Sequence, residues 1–222
     1  MLSTSTSRTI IGEGFIRNIE FDIYRLVLET EITIDFQVFR AVLKSLCKSN
    51  NSPTVTIEYP CRDSKLLLLC EDEGYSSHFY LDTYIPEPQY SLELSGNIIA
   101  NIKFHDIRSI KQAMEVACHC KTDMGIFLTF SKQKPMFYFT RDDLVTGVKS
   151  KITVPFIEKI ECKVEKDCEN TYSSKILKQV ANFPKCRDIE IIMHEEGVLE
   201  VEINISADAW IRHFINPSET EA

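Results

Sequence analysis

The sequence predicts an α+β chain dominated by antiparallel sheet, and three observations lead there. Strand-like runs rich in β-branched and aromatic residues recur along most of the 222 positions. Only three segments carry the helical period. The same order, a helix followed by a meander of strands, also occurs twice, which points to two similar α+β domains. The alternative is one large sheet protein with three helices.

Taken in order, the strand-like runs are 14–21, 24–28, 31–34, 54–59, 65–70, 77–84 and 90–95 in the first half. The second half has 125–131, 136–140, 148–154, 159–164, 188–194, 199–205 and 209–214. Ile189-Glu190-Ile191 and Leu199-Glu200-Val201-Glu202-Ile203 alternate apolar and charged residues as half-buried strands do. The helical segments are 35–48, 106–119 and 173–183, with Asp35, Asp106 and Ser173 placed as N-caps.

The repeat has two copies. Helix 35–48 leads into 54–59 and 65–70, the turn Glu71-Asp72-Glu73-Gly74, and 77–84. Helix 173–183 leads into 188–194, the turn Glu195-Glu196-Gly197, 199–205 and a last strand. Between the two lies Tyr84-Ile85-Pro86-Glu87-Pro88-Gln89, whose prolines stiffen an extended link and donate no ladder bond. The expected organisation is therefore domain one at 1–84, a connector at 85–97, domain two at 98–217 and a tail at 218–222.

Hydrophobic residues make up 44% of the chain, enough for real cores, and Gly and Pro are sparse. No apolar run approaches the roughly 18 residues that span a bilayer. The opening Met1-Leu2-Ser3-Thr4-Ser5-Thr6-Ser7 is polar and does not read as a secretory signal, so an intracellular chain is expected. The eight cysteines are then expected to be reduced thiols. Their one tight cluster, Cys118-His119-Cys120, falls on a predicted helix, where residues two apart face different ways and cannot converge on zinc. No metal and no cofactor are expected.

A net charge of −8 by itself argues against nucleic acid, but the charge is unevenly spread. Segments 35–48, 107–119 and 173–183 carry +2, +1 and +2, which leaves −13 for the rest of the chain. In the first, Phe36, Phe39, Leu43 and Leu46 form the apolar stripe, opposite Arg40, Lys44 and Lys48. In the second, Ile107, Ile110, Met114 and Ala117 face in, while Arg108, Lys111, Gln112 and His119 face out. In the third, Ile176, Leu177, Val180 and Phe183 oppose Lys175, Lys178 and Asn182. Such cations ordinarily just solvate a helix face. Repeated on every helix of an acidic chain, they also suit local phosphate binding. Nothing in the sequence reads bases, so any nucleic acid would be held through its backbone.

Certain segments resemble the PCNA clamp fold, and more closely the Rad-one-type subunit of the heterotrimeric nine-one-one checkpoint clamp. They are Lys134-Pro135-Met136-Phe137-Tyr138-Phe139, residues 172–180 (YSSKILKQV), residues 186–203 with the Glu-Glu-Gly turn, and the link from Glu87 into 98–104. The likeness runs from about Gly14 to Pro217 and includes no invariant catalytic signature. It implies a two-domain clamp protomer with antiparallel sheets outside and helices lining the inner face of a ring. Arg40, Lys44, Lys48, Arg108, Lys111, Lys175 and Lys178 would then face duplex DNA. Strands 77–84 and 145–154 would be the head-to-tail edges, with Ser77, Phe79, Leu81, Val148, Lys149 and Ile152 at the subunit interface.

The same resemblance implies a nuclear scaffold in DNA-damage checkpoint signalling and repair. Its partners would be two paralogous clamp subunits, double-stranded DNA, a clamp loader and repair or checkpoint proteins, with no membrane. In one respect the chain departs from the pattern: clamp domains carry two helices each, and only one precedes the connector. Domain one is therefore expected to be incomplete.

Two rival functions have different requirements. A metal-dependent 3′–5′ exonuclease needs carboxylates converging on two ions. The candidates, Glu71-Asp72-Glu73, Asp142-Asp143 and Glu195-Glu196, all fall in predicted turns where acids are ordinarily solvated. A sheet-rich protein-binding module without DNA contact would keep the fold and leave the cationic helices unexplained.

Overall fold

The computed structural model describes residues 2–4, 10–46, 53–72, 74–85, 94, 96–119, 124–132, 136–143, 148–154 and 160–218. The first strands are β1 (Leu2–Thr4), β2 (Ile10–Ile16) and β3 (Thr33–Ile34), followed by helix α1 (Phe36–Leu46). Then come β4 (Thr54–Glu58), β5 (Leu66–Asp72), β6 (Tyr75–Leu81), β7 (Thr83–Tyr84) and β8 (Ile98–Phe104). Helix α2 (Ile107–Ala117) precedes β9 (Gly125–Ser131), β10 (Met136–Asp143), β11 (Val148–Val154), β12 (Ile160–Val164) and β13 (Cys168–Ser173). Helix α3 (Ser174–Ala181) leads into β14 (Asp188–His194), β15 (Leu199–Asn204) and β16 (Ala209–Ile215).

The chain divides into two compact units, Arg25–Leu92 and Met1–Tyr24 with Glu93–Ala222. In the smaller, β4, β5 and β6 form an antiparallel meander and β3 pairs with β7. Asp72 pairs with Tyr75 across a tight turn, which Gly74 permits by taking φ +97°. Leu66, Leu68 and Leu81 form a small core against Ile34, Phe39, Val42 and Phe79.

In the larger unit one sheet has the order β1-β2-β16-β15-β14-β8-β12 and a second the order β11-β10-β9-β13. Alternation makes each strand two-faced, and the inward residues of both sheets meet in one core. Phe104 of β8 reaches Phe137 of β10 at 6.0 Å between ring centres, and Phe137 packs edge-on to Phe139 at 4.9 Å. Tyr172 is fully buried, with its hydroxyl donating to the Gly197 carbonyl at 2.6 Å.

The predicted helix-and-meander pairs appear as α1-β4-β5-β6 and α3-β14-β15-β16. Several predicted elements differ. The run 14–21 lies in part in β2, which ends at Ile16 and is followed by a 3-10 turn at Asn18–Glu20. Residues 24–28 form no strand, because nothing among the described residues offers them a ladder. The run 77–84 splits into β6 and β7, and β13, a polar segment, was not expected as a strand. The contact division also differs from the expected boundary after residue 84. Strand β2 pairs along its whole length with β16, which joins the amino-terminal residues to the larger unit. Of the run 90–95 only Leu94 is described, and residues 86–93 of the connector lie outside the described residues.

Candidate nucleic-acid interface

Each helix is started by a side chain that satisfies free backbone donors. Asp35 accepts from the backbone N–H of Gln37 at 2.8 Å and of Val38 at 3.0 Å. Asp106 accepts from Arg108 N–H at 3.2 Å and from the Ser109 hydroxyl at 2.7 Å. The Ser109 bond, with help from the helix N–H groups, holds the Asp106 carboxyl below the usual carboxylate range. Ser173 accepts from Ile176 N–H at 3.3 Å, while Ser174 Oγ accepts from the Met124 N–H at 2.9 Å.

Packing then decides which cations stay outside. Helix α2 buries Ile110, Ala113, Met114 and Ala117, and α3 buries Leu177, Val180 and Ala181 against the same core. The two helices lie against each other, α2 over β10 and β11 and α3 over β13. Arg108, Lys175 and Lys178 are exposed. Lys111 is half-buried, its ammonium 5.3 Å from the centre of the Phe183 ring. That ring is a platform the sequence reading missed; its only signal was the place of Phe183 at the end of the α3 apolar stripe.

In the smaller unit α1 exposes Arg40 and Lys44, and Lys48 lies outside the described residues. The stripe on α1 is rotated from expectation. Val42 packs on the core, whereas Phe36 is 45% exposed.

The outer face of the seven-stranded sheet has a different character. One row runs Glu161, Lys103, Glu190, Glu202, Arg212, Glu13 from β12 across to β2. Asn101 donates to Glu190 at 2.5 Å, and Arg212 bonds Glu202 at 2.6 Å while stacking on Trp210 at 4.2 Å. Four carboxylates against two cations make this row acidic, while the exposed side of α2 and α3 is cationic. Such segregation leaves a locally cationic helix face in a chain of net charge −8.

The expected interface residues lie on two sheet edges. Among the described residues β6 borders the three-stranded sheet and β11 the four-stranded one. Leu81, however, is 4% exposed and Phe79 packs on the same core, with Ser77 on that face of β6. What β6 leaves open is its main-chain edge, not these three side chains. On β11, Lys149 is exposed and Ile152 packs on the core; the side chain of Val148 lies outside the described residues.

The acidic clusters are scattered. Glu71 and Asp72 end β5, Glu195 and Glu196 sit in the β14–β15 turn, and Glu73 and the side chains of Asp142 and Asp143 lie outside the described residues. Among the described residues no three His, Cys, Asp or Glu side chains are grouped to hold a metal ion. The helix expected to carry Cys118-His119-Cys120 ends at Ala117, so Cys118, which is buried, is its C-cap and the exposed His119 lies beyond it; Cys120 lies outside the described residues. No helix among the described residues is long and apolar enough to cross a membrane.

This arrangement of antiparallel sheets with three helices is the fold of a PCNA-like sliding clamp. The chain is similar to the PCNA2–PCNA3 complex of Sulfolobus tokodaii with a TM-score of 0.79 at 14% identity, over 97% of this chain and 84% of that one. It is similar to proliferating cellular nuclear antigen of Entamoeba histolytica with a TM-score of 0.78 at 13% identity, over 98% of this chain and 84% of that one. No protein-family model and no curated protein sequence matches the chain.

Proposed function

We propose that this chain is a non-catalytic protomer of a heterotrimeric ring that encircles DNA, a nuclear scaffold for DNA-damage checkpoint signalling and repair. The observation that carries the reading is a clamp fold over 97% of the chain, with Arg108, Lys111, Lys175 and Lys178 on the outer side of two adjoining helices. Arg40 and Lys44 repeat the pattern on α1. Cations presented by rigid helices, with no base-reading device, suit a partner held by its phosphates and free to slide. The open edges of β6 and β11 suit head-to-tail strand pairing between protomers. The Sulfolobus structure is a complex of two differently named clamp chains, which supports a ring divided among paralogues. A clamp loader and checkpoint or repair proteins complete the proposed partners.

Charge reversal tests the DNA contact. In the assembled complex, replacing Arg40, Lys44, Lys111 and Lys178 by Glu weakens retention on duplex DNA uniformly across sequences and flattens its salt dependence. Retention at low salt equal to that of the parent overturns the reading.

A further inference from the structure

The chain holds 33 acidic residues, and its described helices exclude them almost completely. Neither α1 (FQVFRAVLKSL) nor α3 (SKILKQVA) contains one, and α2 (IRSIKQAMEVA) contains Glu115 alone. The caps Asp35 and Asp106 lie just before their helices, and their carboxylates are bonded to helix N–H groups. Glu115 is exposed, four positions on from Lys111 and seven from Arg108, so it stands on the same side of α2 as both. Ile110, Ala113, Met114 and Ala117 occupy the opposite, buried side. Lys111 sets its ammonium over the Phe183 ring, and no cation among the described residues is ion-paired with Glu115. The position is also unfavourable for the helix itself. Glu115 lies in the last turn of α2, where the helix dipole is negative and repels a carboxylate. A Lys followed four residues later by Glu is, moreover, the weaker order for an opposite-charge pair. Neither helix formation nor phosphate attraction accounts for a carboxylate at this point.

We propose that Glu115 limits how tightly the cationic helix face holds duplex DNA, and so keeps the protein free to move along it. The inference rests on the DNA-encircling reading above. A face made only of cations holds a polyanion at fixed places, because each step along the duplex breaks phosphate contacts before new ones form. A carboxylate beside Arg108 and Lys111 repels the same phosphates that those cations attract, and does so within the screening length. It divides α2 in two. The first half presents Arg108 and Lys111, and the rest presents Gln112, Glu115 and Val116, with His119 beyond the helix end. Helix α3, by contrast, turns Lys175, Lys178, Gln179 and Asn182 outward with no acid among them. The duplex backbone is then expected to follow α3 and the first half of α2, and to be held off the second half. Such repulsion reads no base, so it shortens residence equally on all sequences.

The test follows the assembled complex on a linear duplex with free ends. Glu115→Gln is expected to lengthen retention and slow diffusion along the DNA about two- to fivefold at low salt, an effect that fades as salt rises. Gln forms helix as readily as Glu, so the fold is kept. Glu115→Ala gives the same change, since charge and not shape is at work. Gln112→Glu adds a carboxylate to the same side of α2 and shortens retention. Glu161→Gln removes an equal charge from the outer row of the large sheet and leaves retention as it was. A merely structural role at the end of α2 would raise stability and leave the salt dependence unmoved. A Glu115→Gln complex retained no longer than the parent, or an equal gain from Glu161→Gln, overturns the proposal. If the parent shows no salt-dependent retention, the DNA-encircling reading falls and this inference with it. If the parent is retained and Glu115→Gln changes nothing, this inference falls alone.

Discussion

Burial pushes the His213 pKa below the ordinary 6.5, because charging the imidazole there costs solvation. It stands in register with Val201 on one side and Gly12 on the other, on the inward row of β16. The unfolded chain takes up that proton more readily than the folded one. The stability concerned is present above the unfolded pKa and is lost as pH falls toward the folded value. Asp188 adds a loss of the same sign at lower pH. Burial alone would raise its carboxyl, but bonds from Arg187 at 2.7 Å and Asn204 at 2.8 Å hold it below 3.8. Urea midpoints of the parent are expected to decline between about pH 7 and about pH 5, and His213→Gln to flatten the decline. An unchanged slope in the variant would assign the loss to another group. Alternation along β15 placed Glu200 outside with solvent, yet it is 7% exposed, 2.9 Å from His194 and 3.4 Å from Arg212. The period told which face it occupies and not which neighbours would cover it.

Helices are the elements whose beginnings were most legible, because a cap is a local bond between a side chain and backbone two or three residues on. Asp35, Asp106 and Ser173 cap as their positions imply. Asp106→Ala removes both the N–H and the hydroxyl partner at the start of α2, and is expected to cost about 1 kcal/mol of unfolding free energy. Circular dichroism with denaturant measures it, and Asp106→Asn, which keeps an acceptor, should recover most of the loss. A variant as stable as the parent would mean that α2 is held by packing alone. Strands were less legible. Residues 24–28 have strand composition and no ladder, while β13, Cys-Glu-Asn-Thr-Tyr-Ser, pairs fully with β9 on the strength of Tyr172 and its neighbours. Strand propensity reports fit to a pleated, half-buried surface, and that surface is made by other strands.

At the scale of the whole chain, the two units differ in how well they cover their sheets. Among the described residues the larger has two helices and a core drawn from two sheets; in the smaller, one helix lies over β6 and Val55, Ile57 and Phe36 are exposed. Amides of 25–92 are therefore expected to exchange faster than those of 98–217 under native conditions, since opening there exposes less buried apolar surface. Equal protection of the two would show that the smaller unit is as stable as the larger. The sequence by itself determined the α+β class, the three cationic helices, the two helix-and-meander repeats and the residue types on each face. All of these follow from short-range periods of two or 3.6 residues and from caps a few residues long. Only the tertiary structure decided that β2 joins β16, with Arg17 N–H bonded to the Asp208 carbonyl at 2.8 Å, and that Phe183 lies beneath Lys111. Those outcomes depend on pairings between residues tens to nearly two hundred positions apart, where the local pattern permits many partners and the closing of the core selects one.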